Sequence, residues 1–214
     1  MNEYLIPTGA GESEYVEKRS RFLGHVRRVE SEDEARAFIA EMKKRHYDAR
    51  HNCWCYIIRG GAERYSDDGE PQGTAGIPML ELLRREGITN VVCVVTRYFG
   101  GVLLGAGGLL RAYTKSAKEA LGAAGVSAVR RWVKTELECS YAQAEKLRLE
   151  IAAAGGVPDG VDYAAAVTLL ALVPEEALDA FSARIFDASA GSVAVRAAGE
   201  VLRAVPIRSG EKKF

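Results

Sequence analysis

Two stretches of the chain concentrate the residue types that bind or transform ligands. The first, VVTRYFGGVLLGAGGLLRAY at residues 94–113, carries Gly100, Gly101, Gly105, Gly107 and Gly108 between Arg97 and Arg111, with Tyr98 and Tyr113 close by. Glycine backbone ahead of a helix presents N–H groups that attract anions, and guanidinium groups suit phosphate or carboxylate. The stretch is not a P-loop, because Ala106 stands after Gly105 where Lys is required, and no G-x-G-x-x-G can be threaded through it. Tight packing of a helix on a sheet is the alternative use of the same glycines. The second stretch, SDDGEPQGTAG at residues 66–76, sets Ser66, Asp67, Asp68, Gly69 and Glu70 among turn formers. Pro71 and Gly73 break the alternation of oxygen ligands that a calcium loop needs. Three readings stay open for its carboxylates: a solvated turn, an ion pair with Arg97 or Arg111, or a catalytic pair. His51, Cys53 and Cys55 share one face of a strand, but C-x-C lacks the usual zinc spacing and no second ligand pair appears. Burial as small hydrophobes is the preferred reading of those thiols.

Positioning these residues requires particular elements. Val91 to Val95 is an unbroken apolar, β-branched run, the pattern of a strand buried on both faces. Leu109, Leu110, Tyr113, Ala117, Ala120 and Leu121 give the glycine loop a helix to lead into. Upstream, residues 13–29 read as one or two strands carrying Lys18, Arg19, Arg21, Arg27 and Arg28, charges that either solvate an outer face or track a phosphate backbone. Ser31 and Glu34 form a capping box for an amphipathic helix with Ala35, Phe38, Ile39 and Met42 on its apolar stripe, ending at Lys43 to His46. His51 to Arg59 is strand-like, and a helix from Pro78 to Glu86 is stopped by Gly87. Gly122 and Gly125 place a boundary near residues 122–129. Beyond it, Val133, Thr135, Leu137, Cys139 and Tyr141 alternate with polar residues as a strand with one wet face. A helix through Leu147, Ile151 and Ala154 follows, then a hairpin near Val157 to Val173 turning at Pro158, Asp159 and Gly160. A second helix opens at Pro174 and carries Leu178, Phe181 and Ile185, and a last strand begins at Val193 and Val195. The order β-α-β-β-α-β is that of a ferredoxin-like domain.

Composition narrows the function classes. Apolar residues at 48% and charged residues at 27% suit a globular protein and exclude a fibre. A formal net charge of +0 means that a nucleic-acid partner must be met by a local basic face. Cys53, Cys55, Cys93 and Cys139 lie in apolar runs, and the N-terminus lacks a signal-peptide pattern, so a reducing cytoplasm is the expected compartment. No apolar run reaches the roughly 18 residues needed to cross a bilayer, so no membrane role is expected.

KRSRFLGH at 18–25, ARHNCWCY at 49–56, SDDGEPQGTAGIPML at 66–80 and VVTRYFGGVLLGAGGLLRAY at 94–113 together resemble the YigZ/IMPACT family. The resemblance implies a two-domain α+β protein. Residues 1–125 would form an α/β sandwich similar to the second domain of a small-subunit ribosomal protein and to the fourth domain of elongation factor G. Residues 130–206 would form a ferredoxin-like domain similar to that factor's fifth domain, and residues 207–214 a tail. The eukaryotic members act in translational control through protein partners of a stress kinase pathway, and no cofactor is implied. The family's glycines fall on Gly100, Gly101, Gly105, Gly107 and Gly108, its arginines on Arg97 and Arg111, and its acidic loop on Asp67, Asp68 and Glu70. Leu103 stands where many members carry Lys. The expected function is non-enzymatic, translation-associated binding of RNA or the ribosome through a face holding Arg21, Arg97, Tyr98, the five glycines, Arg111 and Tyr113. Two alternatives remain: an enzyme acting on a phosphorylated or nucleotide substrate through Asp67, Asp68 and Glu70, and an adaptor that docks a protein through the basic hairpin or the tail Arg208 to Phe214.

Overall fold

The computed structural model describes residues 3–207, so the tail Arg208 to Phe214 lies outside the described residues. The described residues divide into two units, Tyr4–Ala128 with residues 204–207, and Val129–Arg203 with Glu3.

The N-terminal unit is built on an antiparallel sheet in the order β2-β3-β6-β4-β5, where β2 is Gly11–Glu17, β3 Ser20–Arg28, β4 His51–Ile57, β5 Glu63–Ser66 and β6 Val91–Tyr98. A short strand β1, Tyr4–Pro7, precedes it. Strand alternation sends Phe22, Cys53, Cys55, Val91, Cys93 and Val95 to one face, where they pack with helix α2, Gly76–Arg85, and helix α3, Ala106–Ala124. The other face sends Tyr56, Val92 and Val94 against helix α1, Glu32–Arg45. Val91 to Val95 are all completely buried because β6 has helices on both sides.

Helix α1 forms where the spacing places it, and Ala35, Phe38, Ile39 and Met42 are its buried residues. The Ser31 hydroxyl accepts from the Glu34 N–H at 3.2 Å, but the Glu34 carboxylate reaches the N–H of Glu30 rather than that of Ser31. Half of the capping box is thus displaced by one residue. Ser31→Ala is expected to lower stability by about 1 kcal/mol, read as a shift in the urea midpoint. The basic segment is a hairpin whose two turn residues, Lys18 and Arg19, both have positive φ, 44° and 67°, the signature of a type I′ turn. Helix α2 starts at Gly76, two residues ahead of Pro78, because Asp67 supplies its capping acceptor from outside the helix.

Helix α3 runs to Ala124, Gly125 turns with φ 69°, and β7, Val126–Cys139, starts at once, so no linker separates helix from strand. In the C-terminal unit, α4 is Tyr141–Ala153, β8 Val157–Tyr163, β9 Val167–Pro174, α5 Leu178–Ala188 and β10 Arg196–Pro206. Strand β7 pairs with both β9 and β10, and β8 with β9, giving the order β10-β7-β9-β8 of a ferredoxin-like βαββαβ fold. Leu137, Leu147, Ile151, Leu169, Phe181 and Ile185 form its core. Four local expectations are corrected: β7 ends at Cys139, so that Tyr141 opens α4, and β10 begins at Arg196, beyond Val193 and Val195. Pro158 and Gly160 are not the hairpin turn but lie within β8 at a register shift, and the turn falls at 164–166. Pro174 closes β9, and a 3-10 turn at Glu175–Ala177 precedes α5. The protein is thus a two-domain α+β molecule.

Candidate functional site

The face expected to carry Arg97, Tyr98, Arg111 and Tyr113 together does not exist as one surface. Arg97 and Tyr98 are consecutive in β6, and the pleat sends them to opposite faces of the sheet. Arg97 points with Cys93 and Val95 toward α2 and α3 and is 6% exposed. Its Nη1 donates to Glu70 Oε1 at 2.7 Å, and the Tyr113 hydroxyl donates to the same oxygen at 2.8 Å. Tyr113 is completely buried because it lies on the α3 stripe of Leu109, Ala112, Ser116 and Ala117 that faces the sheet. Burial is the main cause that pushes its phenol far above the ordinary range, with Cys53 and Glu70 adding to it. Arg97 and Tyr113 are thus joined through Glu70 inside the core.

The acidic loop resolves the same way. Asp67 accepts from the N–H groups of Gly73, Ala75 and Gly76 at 2.8 to 3.0 Å, placing a carboxylate at the positive end of α2. Asp68 accepts from the Asn52 N–H and pairs with Lys43, both at 2.7 Å. Glu70 is the ion-pair partner of Arg97, one of the three uses open in the sequence. Ser66 accepts from the Asp68 N–H, and Gly69 turns with φ 87°. The catalytic-pair reading meets three committed carboxylates. Cys53 and Cys55 are buried, Cys53 donating to the Asp67 carbonyl at 3.0 Å, and burial raises both thiols well above their usual range. Among the described residues, no group of three or more His, Cys, Asp or Glu is arranged to hold a metal ion.

Tyr98 and Arg21 lie on the α1 face. The Tyr98 hydroxyl donates to Asp48 at 2.9 Å, and Arg21, whose guanidinium carbon is 5.8 Å from the Tyr98 ring centre, pairs with Glu14 at 2.7 Å. Neither residue belongs to the glycine loop surface.

What remains exposed is the start of α3. Gly100 packs against the hairpin backbone at Arg19 and donates to the Ser20 hydroxyl at 3.1 Å. Gly101 and Gly105 take φ of 84° and 71°, and Gly105 is the N-cap of a 19-residue helix. That helix has no side-chain cap and no acidic residue in its first turn. Gly101, Gly105 and Gly107 are exposed, and Gly108 is half-buried. Arg111 folds back along the helix so that its Nη1 would lie 3.6 Å from a Cβ at Gly107. It borders a cleft of about 230 Å³ with Lys18, Lys115, Tyr15, Glu17 and Gly108. Glu17 accepts the Tyr15 hydroxyl, and Lys115 lies over the Tyr15 ring at 4.1 Å and 4.0 Å from Glu119. Lys115 is the contributor that the sequence reading missed. Its position four residues after Arg111 puts it on the same helix face, a signal present in the sequence.

The Impact N-terminal domain model matches residues 18–121, and a domain of unknown function, DUF1949, matches residues 137–192. The chain is 40% identical over 184 residues to IMPACT family member YvyE of Bacillus subtilis, covering 85% of each. It is 34% identical over 206 residues to IMPACT family member YigZ of Escherichia coli, covering 94% of this chain and 100% of that one. A solved structure titled as the crystal structure of a hypothetical protein superposes with a TM-score of 0.58 at 33% identity, covering 93% of this chain and 98% of the other. With full-length relatives at this identity, and with both domains matched in order, the chain belongs to the IMPACT family.

Proposed function

We propose that the N-terminal unit binds the phosphate backbone of RNA, free or in the ribosome, at the start of α3, and that the protein acts by binding in translation. The observation that carries this reading is the contrast between two helix ends. The positive end of α2 is neutralised by Asp67, whereas the longer α3 has no side-chain cap and no acidic residue in its first turn and has Arg111 folded against it, while Glu17, which lines the same cleft, accepts from the Tyr15 hydroxyl. A cation placed at the positive end of a helix dipole is unfavourable on its own, and an anion that meets both the dipole and the guanidinium reverses the sign. Lys18 and Lys115 extend the charge along the cleft. A chain with no net charge thereby has a local face of the kind that backbone recognition needs. The translational role of the family's eukaryotic members supports a place of action in translation. The commitment of Asp67, Asp68 and Glu70 to internal partners leaves the enzyme reading without a free carboxylate in that loop. Four buried free cysteines suit a reducing compartment, in keeping with a cytoplasmic place of action.

The test is the salt dependence of binding to a labelled RNA, followed by fluorescence anisotropy. Arg111→Ala combined with Lys18→Ala is expected to weaken binding and to reduce the slope of log affinity against log salt by about one for each phosphate that is no longer neutralised. An unchanged slope rules out this surface.

A further inference from the structure

Two of the three histidines, His25 and His46, belong neither to the cleft nor to the Arg97–Glu70 pair. Both are buried on the α1 face of the N-terminal sheet, 5% and 8% exposed, with ring centres 5.3 Å apart and planes tilted by 34°. His46 caps the C-terminus of α1, its N–H donating to the Met42 carbonyl at 2.9 Å. Hydrogen bonding fixes the tautomer of each ring. The Tyr98 hydroxyl gives its proton to Asp48, so His46 Nδ1, 3.1 Å away, must be the donor to Tyr98. His25 Nδ1 faces the Glu12 carboxylate at 3.4 Å and carries its proton for the same reason. Each ring is therefore left with a bare Nε2 lone pair, and both Nε2 atoms are buried without a partner.

A proton added to either ring would enter a buried position with no acceptor and beside a second imidazole. Every other charged or titratable group nearby is accounted for. On β2, Glu12 is shared with Arg45 at 2.8 Å and Glu14 is held by Arg21 at 2.7 Å; on α1, Glu41 pairs with Arg27 of β3; beyond α1 stands Asp48, and on β6 Tyr98. Glu12 and Asp48 favour the charged rings, and Arg45 opposes them. Desolvation outweighs these and pulls both imidazoles below their ordinary value of 6.5. Groups held neutral by the fold bind protons more readily once released. The stability they confer is therefore complete above the ordinary imidazole value and falls as pH drops through and below it.

We infer that His25 and His46 form a proton-operated latch, in which two neutral rings hold the C-terminal turn of α1 on β2, β3 and β6, and acidification releases that turn. The turn borders a groove of about 390 Å³ lined by Glu12, Glu14, Arg21, Leu23 and the two rings. Release therefore changes the shape of that groove without requiring the rest of the chain to unfold.

With only three histidines, the imidazole Cε1–H spectrum of the full chain gives three signals, and titration from pH 8 to 5 follows each ring separately. The His25 and His46 midpoints are expected below 6.5. Amide hydrogen-exchange protection at His46 and Ala49 should fall over the same range, by about tenfold for each unit of depression per proton taken up, while Leu169 in the other unit stays protected. His46→Phe should remove the His46 share of the pH dependence of Ala49 protection, leaving at most the loss that follows the His25 titration. If that variant does not fold, Glu12→Gln decides, because loss of the carboxylate that favours the charged ring must move the His25 midpoint to lower pH and extend the loss of protection further into acid, its onset staying at the ordinary imidazole value. Ordinary midpoints for both rings, constant protection while they titrate, or loss of protection at Leu169 in step with His46 overturns the inference.

Discussion

Glu70→Ala destabilises the N-terminal unit by about 3–5 kcal/mol, the cost of leaving a buried charge without its partner. The Arg97 and Glu70 side chains are 7% and 3% exposed, so water cannot replace either partner. The remaining contacts are weak substitutes: Arg97 Nη2 reaches the Ser20 hydroxyl only at 3.5 Å, and Nε has no partner at all. Removal of the carboxylate also strips the buried Tyr113 hydroxyl of its acceptor. Urea unfolding measures the effect, and the double variant Glu70→Leu with Arg97→Met separates charge from packing. Replacing the whole pair by apolar side chains should recover most of the loss. A cost under about 1 kcal/mol for Glu70→Ala would show that the pair does not organise this core.

Gly100→Ala is the second large effect, expected at about 3 kcal/mol or more. A Cβ at this position would fall 2.0 Å from the Arg19 carbonyl carbon and 2.4 Å from the Ser20 nitrogen. Both are backbone atoms of the β2–β3 hairpin, so no side chain can swing aside and the hairpin must separate from the loop. Because Lys18 rides on that hairpin, the proposed RNA binding should weaken together with stability. Gly107→Ala is the control, since its Cβ would meet only Arg111 Nη1 at 3.6 Å within a helix. That substitution should leave stability unchanged or raise it by roughly 0.5–1 kcal/mol. Thermal unfolding of the two variants side by side tests the distinction.

The elements were legible where one periodicity acted alone. The stripe Ala35, Phe38, Ile39 and Met42 marks α1, and the run Val91 to Val95 marks a strand covered on both sides. The candidate site was read less well, for a reason that the same rules contain. Arg97 and Tyr98 cannot share a face of one strand, and Tyr113 follows Leu109 on the buried stripe of α3, so alternation and helical spacing already excluded a common surface. The polar character of Arg97 and Tyr113 concealed this, since a buried Arg requires an acid whose position depends on tertiary structure. Glu70 lies 27 residues away and Asp67 reaches across a loop to cap α2, distances over which no local rule operates. His25 and His46 gave no sequence signal, because their pairing depends on β3 meeting the end of α1.

The bend joining the first two long strands of the N-terminal sheet uses lysine and arginine in a left-handed backbone conformation, where Asn-Gly would relieve about 1 kcal/mol per residue. The long side chains there are thus held at the expense of local conformational ease. An optimiser of thermal robustness alone would replace them, and the resulting sturdier hairpin would have lost Lys18 from the cleft beside the uncapped helix.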